Sequence, residues 1–332
     1  MLEKILFLGS NSFSGASFVS FLIRRSEVEK VVGISRSEEP DSVFLPYRKD
    51  TKNQKKFDFY KVDLNSEVDN AIDIITKFEP QYIVNFAAQG MVAQSWENPD
   101  QWINTNVVSL AKLLKGIHKV DTIKGFVQAS TPEVYGPSNN MTESQCFSPS
   151  TPYAASKASA DLLLYTYYKT HKFPIKYTRS ANIYGPSQQL YRIIPKTILS
   201  IMNSTRVPLH GGGRSVRSFI HIDDVSRATY LVMKSGKCGD AYHISGDKYV
   251  SIRELINEIC LLMNVRINEI IIDADRRVGN DPKYSMNSSK IRNEFGWTPL
   301  VDLHDGISQT IRWAKDNNNV LKCLTMEYIH KE

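Results

Sequence analysis

Cysteine is scarce and scattered. Cys146, Cys238, Cys260 and Cys323 are the whole complement of 332 residues, and none has the close spacing of zinc or dithiol motifs. No metal and no disulfide framework are expected, and the thiols read as the reduced cysteines of a cytoplasmic protein. Long apolar runs are missing as well. Nothing approaches the roughly 18 residues of a membrane span, so no membrane partner is expected. The opening run Met1–Leu8 stops at Gly9, Ser10 and Asn11, the pattern of a strand rather than of a signal peptide. With 17 Gly and 14 Pro, collagen-like and low-complexity classes are excluded, and no tether-like linker or internal repeat is present. Excess charge is small too, 41 Lys and Arg against 35 Asp and Glu. Its one cluster, Lys52, Lys55 and Lys56, is interrupted and without a recognition motif, which excludes nucleic acid as the expected partner.

What remains is a soluble globular chain with a clear rhythm. Short apolar runs at Ile5–Leu8, Val31–Ile34, Phe57–Val62, Tyr82–Phe86, Phe126–Ala129 and Ile175–Thr178 alternate with helix-like stretches at Phe13–Arg25, Glu67–Phe78, Asp100–His118 and Tyr153–Lys172. Such alternation predicts an α/β protein, a Rossmann-type doubly wound parallel sheet. Its ligands would lie outside the carboxyl ends of the strands. After about Asn182 the rhythm becomes irregular, with helices expected at Ile193–Met202, Ser251–Met263 and Leu303–Asp316. Residues 1–182 are therefore expected to form the dinucleotide-binding domain, and residues 183–332 mainly a smaller substrate-binding lobe, with some later segments returning to the first.

Gly9-Ser10-Asn11-Ser12-Phe13-Ser14-Gly15 joins the first strand to the first helix. A turn of small residues lets backbone amides and the positive end of the helix approach a pyrophosphate. The middle glycine of the usual dinucleotide fingerprint is absent, and Ser12 stands there; alone, the motif fits an ordinary strand-to-helix turn equally well. Also missing is an Asp or Glu at the end of the second strand, where a ribose 2′-hydroxyl would be held. Ser35 and Arg36 follow instead, a pair suited to a 2′-phosphate, so NADP is preferred over NAD. Asp63 and Leu64, after the third strand, would flank the adenine, although Asp63 could equally start a helix.

Tyr153 and Lys157 stand i, i+4, on one helical face. A cationic Lys beside a phenol is expected to lower its pKa from about 10 and make it a usable base. Some twenty residues earlier, Ala129-Ser130-Thr131-Pro132-Glu133-Val134-Tyr135-Gly136 ends a strand and offers the Thr131 hydroxyl to the same substrate oxygen. The three form a constellation for hydride chemistry.

With these motifs the chain resembles the extended short-chain dehydrogenases/reductases of the nucleotide-sugar epimerase/dehydratase group. The likeness continues through Asn85-Phe86-Ala87-Ala88-Gln89, Thr105-Asn106, Arg179–Pro186, Arg217–Asp224 and Phe295–Pro299, nearly the whole length. It implies that Thr131, Tyr153 and Lys157 oxidise a sugar C4 hydroxyl. It further implies that Ala87, Ala88, Gln89 and Asn106 join the cofactor site, and that Asn182, Lys196, Arg217 and Arg277 approach the nucleotide-diphosphate sugar. A homodimer is implied by the helices at 99–119 and 152–172. His221 and His243 are expected to be structural.

Within the group, Glu133 resembles the carboxylate of sugar 4,6-dehydratases, which carry Thr-Asp-Glu or Thr-Ser-Glu where hydride-only epimerases have none. Once C4 is a ketone, the C5 proton lies alpha to a carbonyl and a carboxylate can remove it. Pro132 departs from the Asp that protonates the leaving oxygen in glucose-type dehydratases, leaving Glu133 to act alone. A UDP-glucuronate-type decarboxylase, a 4-epimerase, and a non-enzymatic NADP-binding sensor or scaffold are the competing readings.

Overall fold

The computed structural model describes residues 2–275 and 284–331. Strands β1 (Glu3–Leu8), β2 (Val28–Ser35), β3 (Phe57–Lys61), β4 (Tyr82–Asn85) and β5 (Gly125–Ser130) lead the chain, and β6 (Ser138–Met141) and β7 (Ile175–Ser180) follow. Later come β8 (Asn182–Tyr184), β9 (Val207–His210), β10 (Val216–His221), β11 (Ala241–Ile244), β12 (Tyr249–Ser251), β13 (Ile271–Ala274) and β14 (Tyr284–Met286). The main sheet has the order β11-β7-β5-β4-β1-β2-β3, every neighbouring pair parallel. All six expected strands are in it.

Both faces of this sheet are covered, which is why its strands read as unbroken apolar runs rather than as alternating patterns. On β1, Leu6 and Leu8 face one way, into a core with β4, β5 and the helices α2 (Val68–Phe78), α4 (Ser109–Ile117) and α5 (Pro152–His171). Ile5 and Phe7 face the other way, against α1 (Phe13–Ile23) and α7 (Ile222–Ser235). At roughly 25 cal/mol per Å² of apolar surface removed from water, these two layers are the main source of stability, and they hold the carboxyl ends of the strands rigid. Strand β11 was not foreseen. It is four residues long, and its Tyr242 and His243 do not make an apolar run, but pairing with β7 supplies the missing context.

The order reverses between β1 and β4, the topological switch point of an open parallel sheet. Above that crevice lies a smaller set of elements. Strand β10 pairs with β8 and β12, and β9 with β13. Helices α6 (Ile193–Met202), α8 (Ile252–Leu262) and α11 (Leu303–Asp316) share a core around Ile198, Leu255 and Ile311. One irregularity matters for the site. The expected helix over 100–118 is split into α3 (Pro99–Ile103) and α4 by a π-helical turn at Asn104–Val108, a feature that often marks functional positions.

Candidate active site

Gly9 closes β1 with a φ of +84°, and a Cβ there would stand 2.7 Å from the amide nitrogen of Ala87 on the neighbouring strand end. Only glycine fits so close an approach. A Cβ on Gly15 would overlap the carbonyl oxygen of Gly9, so the helix packs directly against the turn. Ser12 caps α1, its hydroxyl accepting from Gly15 N at 3.0 Å and donating to Gly9 O at 2.8 Å. With a φ of −72° this position has no need of glycine, and the capping hydroxyl is a physical reason for the departure from the usual fingerprint. The first turn of α1 carries no acidic side chain, so its positive end is unopposed, and Phe13 begins the helix beside it. This cradle fits a dinucleotide pyrophosphate.

Ser35 is turned inward. Its hydroxyl accepts from Asn11 N at 3.0 Å and lies 3.3 Å from the Ser10 hydroxyl, which pins the turn. Arg36 and Ser37 follow it directly out of the strand. Asp63 caps the approach to α2, accepting from Asn65 N at 2.9 Å, and Leu64 packs partly into the core. Ala87 N donates to Asn85 Oδ1 at 3.1 Å, and Ala88 follows it along the crevice floor. Asn106, in the π turn, uses its side chain fully. It accepts from Gln89 N at 2.8 Å and donates to Gln89 O and to the Ser156 hydroxyl. That arrangement positions Gln89 and binds the loop to α5.

Thr131 follows β5 directly and caps the 3-10 turn Pro132–Tyr135, its hydroxyl accepting from Glu133 N at 3.3 Å. Pro132 is the first residue of that turn, where a missing N–H costs nothing. The strand end is held by a buried ion pair, Arg179 to Asp161 at 2.8 Å, to which Ser130 donates at 2.6 Å. Helix α5 starts from Thr151, whose hydroxyl accepts from Ala154 N, and Tyr153 N is fixed on the Ser95 hydroxyl at 3.1 Å. The Thr131 hydroxyl and the Glu133 carboxylate are both close enough to act on the Tyr153 phenol. Lys157 is buried and donates to Ala129 O at 2.7 Å.

The electrostatics correct one expectation. The Tyr153 hydroxyl is pushed above its ordinary range, first by burial and then by the Glu133 charge; the Thr131 hydrogen bond and the Arg192 charge oppose this. Lys157 is itself lowered to about 8 by burial, with Asp161 opposing. One of its three ammonium donors is held by the β5 carbonyl, and among the protein's own influences burial rather than Lys157 dominates the Tyr153 hydroxyl.

The family description "GDP-mannose 4,6 dehydratase" matches residues 6–310. The chain belongs to this GDP-mannose 4,6-dehydratase family. It is 36% identical over 241 residues to a dTDP-glucose 4,6-dehydratase of Streptomyces antibioticus, covering 72% of this chain and 71% of that one. A dTDP-glucose 4,6-dehydratase of Haemophilus influenzae is 28% identical over 96% of this chain and 99% of its own. The solved dTDP-glucose 4,6-dehydratase of Streptomyces venezuelae, which holds NAD, superposes with a TM-score of 0.87 at 29% identity, covering 95% and 98% of the two chains. This chain is a nucleotide-sugar 4,6-dehydratase of the extended short-chain dehydrogenase/reductase type.

Of the residues expected near the substrate, Asn182 begins β8, and Arg217 is buried in β10, donating to Val216 O at 2.8 Å. Lys196, one turn into α6, is ion-paired with Glu327 at 2.8 Å. Arg277 lies outside the described residues. Both histidines take structural places. His221 caps α7 at Asp223 N. His243, lowered to about 3 chiefly by burial, accepts from the Tyr135 hydroxyl and donates to Asn287 O. Two features escaped the sequence reading. Arg192 precedes α6 and lends its charge to Tyr153; a cation immediately before a helix, shortly after Tyr184-Gly185-Pro186, was the available signal. The other is the segment Glu327–Lys331, which no motif announces. Among the described residues no His, Cys, Asp and Glu cluster could hold a metal, and no helix is long and apolar enough to cross a membrane.

Proposed function

We propose that the dehydratase acts on a nucleoside-diphosphate sugar bearing hydroxyls at C4 and C6, works with NADP, and uses Glu133 as both acid and base. The observation that carries this is the grouping of Thr131, Glu133, Tyr153 and Lys157 at one strand end, with Pro132 where a second acid would stand. When bound, the oxidised nicotinamide takes up a hydride and later returns it, and its ring charge favours the Tyr153 phenolate. Tyr153 takes the proton of the C4 hydroxyl while Thr131 orients that oxygen, leaving a C4 ketone. Glu133 then removes the acidified C5 proton and delivers it to the departing C6 oxygen, so that water and an enone result. Once a hydride is returned to C6, the proton that Tyr153 took from the C4 hydroxyl passes by way of Glu133 to C5, which restores both groups and completes a 4-keto-6-deoxy sugar. Lys157, anchored on β5 through Ala129 O, would hold the cofactor's ribose with its remaining donors. Arg192, with Lys196 and Arg217, supplies the cationic side of the crevice for the diphosphate.

The preference for NADP is supported by the end of β2. No carboxylate stands there, and the nearest acids are engaged elsewhere: Glu38 with Lys61 at 3.0 Å, and Glu39 with the Tyr47 hydroxyl at 2.6 Å and with Arg48. Incubation with NADP and a panel of nucleotide sugars, followed by product mass, tests the reading. Loss of water is expected. Loss of carbon dioxide would make the protein a decarboxylase, and an unchanged mass with inverted stereochemistry an epimerase.

A homodimer is supported by exposed apolar side chains on the helices that the resemblance assigns to pairing. Leu162 on α5 is 50% exposed, and Ile103 and Val108 beside α4 are 40% and 38% exposed. Two copies would cover them. Light scattering after size exclusion should give twice the chain mass, and Leu162→Glu should give a monomer. A wild-type monomer would refute the pairing.

A further inference from the structure

The segment Glu327–Lys331 crosses the mouth of the crevice from one lobe to the other. Glu327 pairs with Lys196 on α6, and the Tyr328 ring meets Tyr191 edge-on at 5.2 Å. His330 lies flat on Trp102 at 5.4 Å with 6° between the ring planes. Its Nε2 donates to Gln101 Oε1 at 2.5 Å, so Nδ1 accepts from the Tyr328 hydroxyl at 3.3 Å. Lys331 O accepts from the buried Gln89 side chain at 2.7 Å, and its Nζ donates to the Ser37 hydroxyl at 3.1 Å.

These contacts hold the backbone at Lys331 and just before it. A stacked ring bonded to a neighbouring amide stands on one side, and a buried amide donor grips Lys331 itself. The exposed Lys331 ammonium is thereby placed at the loop that follows β2, where it reaches Ser37. That loop is where a Rossmann sheet meets the 2′ position of the adenosine ribose. Arg36 lies in the same place, near enough for its charge to act on the Tyr328 hydroxyl, and the loop's own acids are turned to other partners.

We propose that Glu327–Lys331 is a wall of the dinucleotide site and that Lys331, with Arg36, binds the 2′-phosphate and selects NADP over NAD. The inference rests on the NADP reading above and adds to it a residue from the far end of the described chain. Two cations flank a phosphate better than one, because each contributes charge-assisted hydrogen bonds to a different oxygen. The ribose 2′-hydroxyl of NAD, being neutral, gains little from either.

Titration calorimetry of the full chain with NADP and with NAD, without sugar, tests this independently of turnover. Lys331→Met should weaken NADP about tenfold, or some 1.4 kcal/mol, and leave NAD within a factor of two; Lys331→Arg should restore NADP. His330→Ala, which removes the anchor and keeps the ammonium, should weaken NADP in the same direction. If Lys331→Met weakens both cofactors equally, or neither, the wall does not read the phosphate. A wild type that binds NAD as tightly as NADP overturns the NADP reading itself, a failure distinguishable from the silence of Lys331 alone.

Discussion

Tyr153→Phe should reduce turnover by about 10²–10⁴-fold while leaving the fold and cofactor affinity intact. The phenol ring packs where it is because α5 is capped at Thr151 and its second residue is tied to Ser95, and none of these contacts uses the hydroxyl. Loss of the hydroxyl removes the acceptor of the C4 proton, and the reaction stops before any hydride moves. Reduced cofactor should therefore not accumulate on mixing with substrate, and NADP titration should be unchanged within a factor of two. The size of the effect reflects how poorly water can substitute. Burial and Glu133 both push the Tyr153 hydroxyl toward its neutral form, so the site is one in which a base works only when the bound cofactor offsets that cost. A Phe variant that keeps more than a tenth of the turnover would assign the C4 proton to another group.

Much of this site was legible before any coordinates. Tyr153 and Lys157 declare themselves because helical spacing is local, and Thr131 with Glu133 because their turn follows directly on an apolar strand. The six strands were legible for the related reason that a sheet buried on both faces leaves continuous apolar runs. What failed did so for want of long-range information. The fate of the Lys157 ammonium depends on Ala129 O, 28 residues away, so the expected lowering of the Tyr153 pKa could not be judged from spacing. How Asn106 serves the site is likewise a long-range matter, since its amide is taken up by Gln89 and Ser156, which only the π turn brings within reach. Glu327–Lys331 has no motif at all; its partners Ser37 and Gln89 lie 294 and 242 positions away. Strand β11 is the same case in miniature, four half-polar residues made into a strand by β7.

Glu133→Gln separates the two halves of the reaction and should have the other large effect. The amide is nearly the same size and can keep the turn that Thr131 caps, because that hydrogen bond runs from the backbone N–H of residue 133. It cannot accept the C5 proton. Oxidation at C4 needs only Tyr153, Thr131 and the cofactor, so it should proceed; elimination should fall by about 10²–10⁴-fold. The expected signature is a reduced cofactor that forms and persists with a 4-keto sugar, and a water-loss product close to absent. Removal of the Glu133 charge also takes away the second cause of the raised Tyr153 pKa, so the first step should be no slower and its pH profile should move toward lower pH. Pro132 sharpens the test. If a second acid served the leaving oxygen, as the Asp of the glucose-type pattern does, Pro132→Asp in the wild type should accelerate elimination little. With Glu133 serving as both base and acid, the added carboxyl instead relieves it of the second duty, and elimination should quicken. Full dehydration by Glu133→Gln, with no standing pool of reduced cofactor, would remove Glu133 from the chemistry and return the choice among dehydratase mechanisms to some other group facing Tyr153.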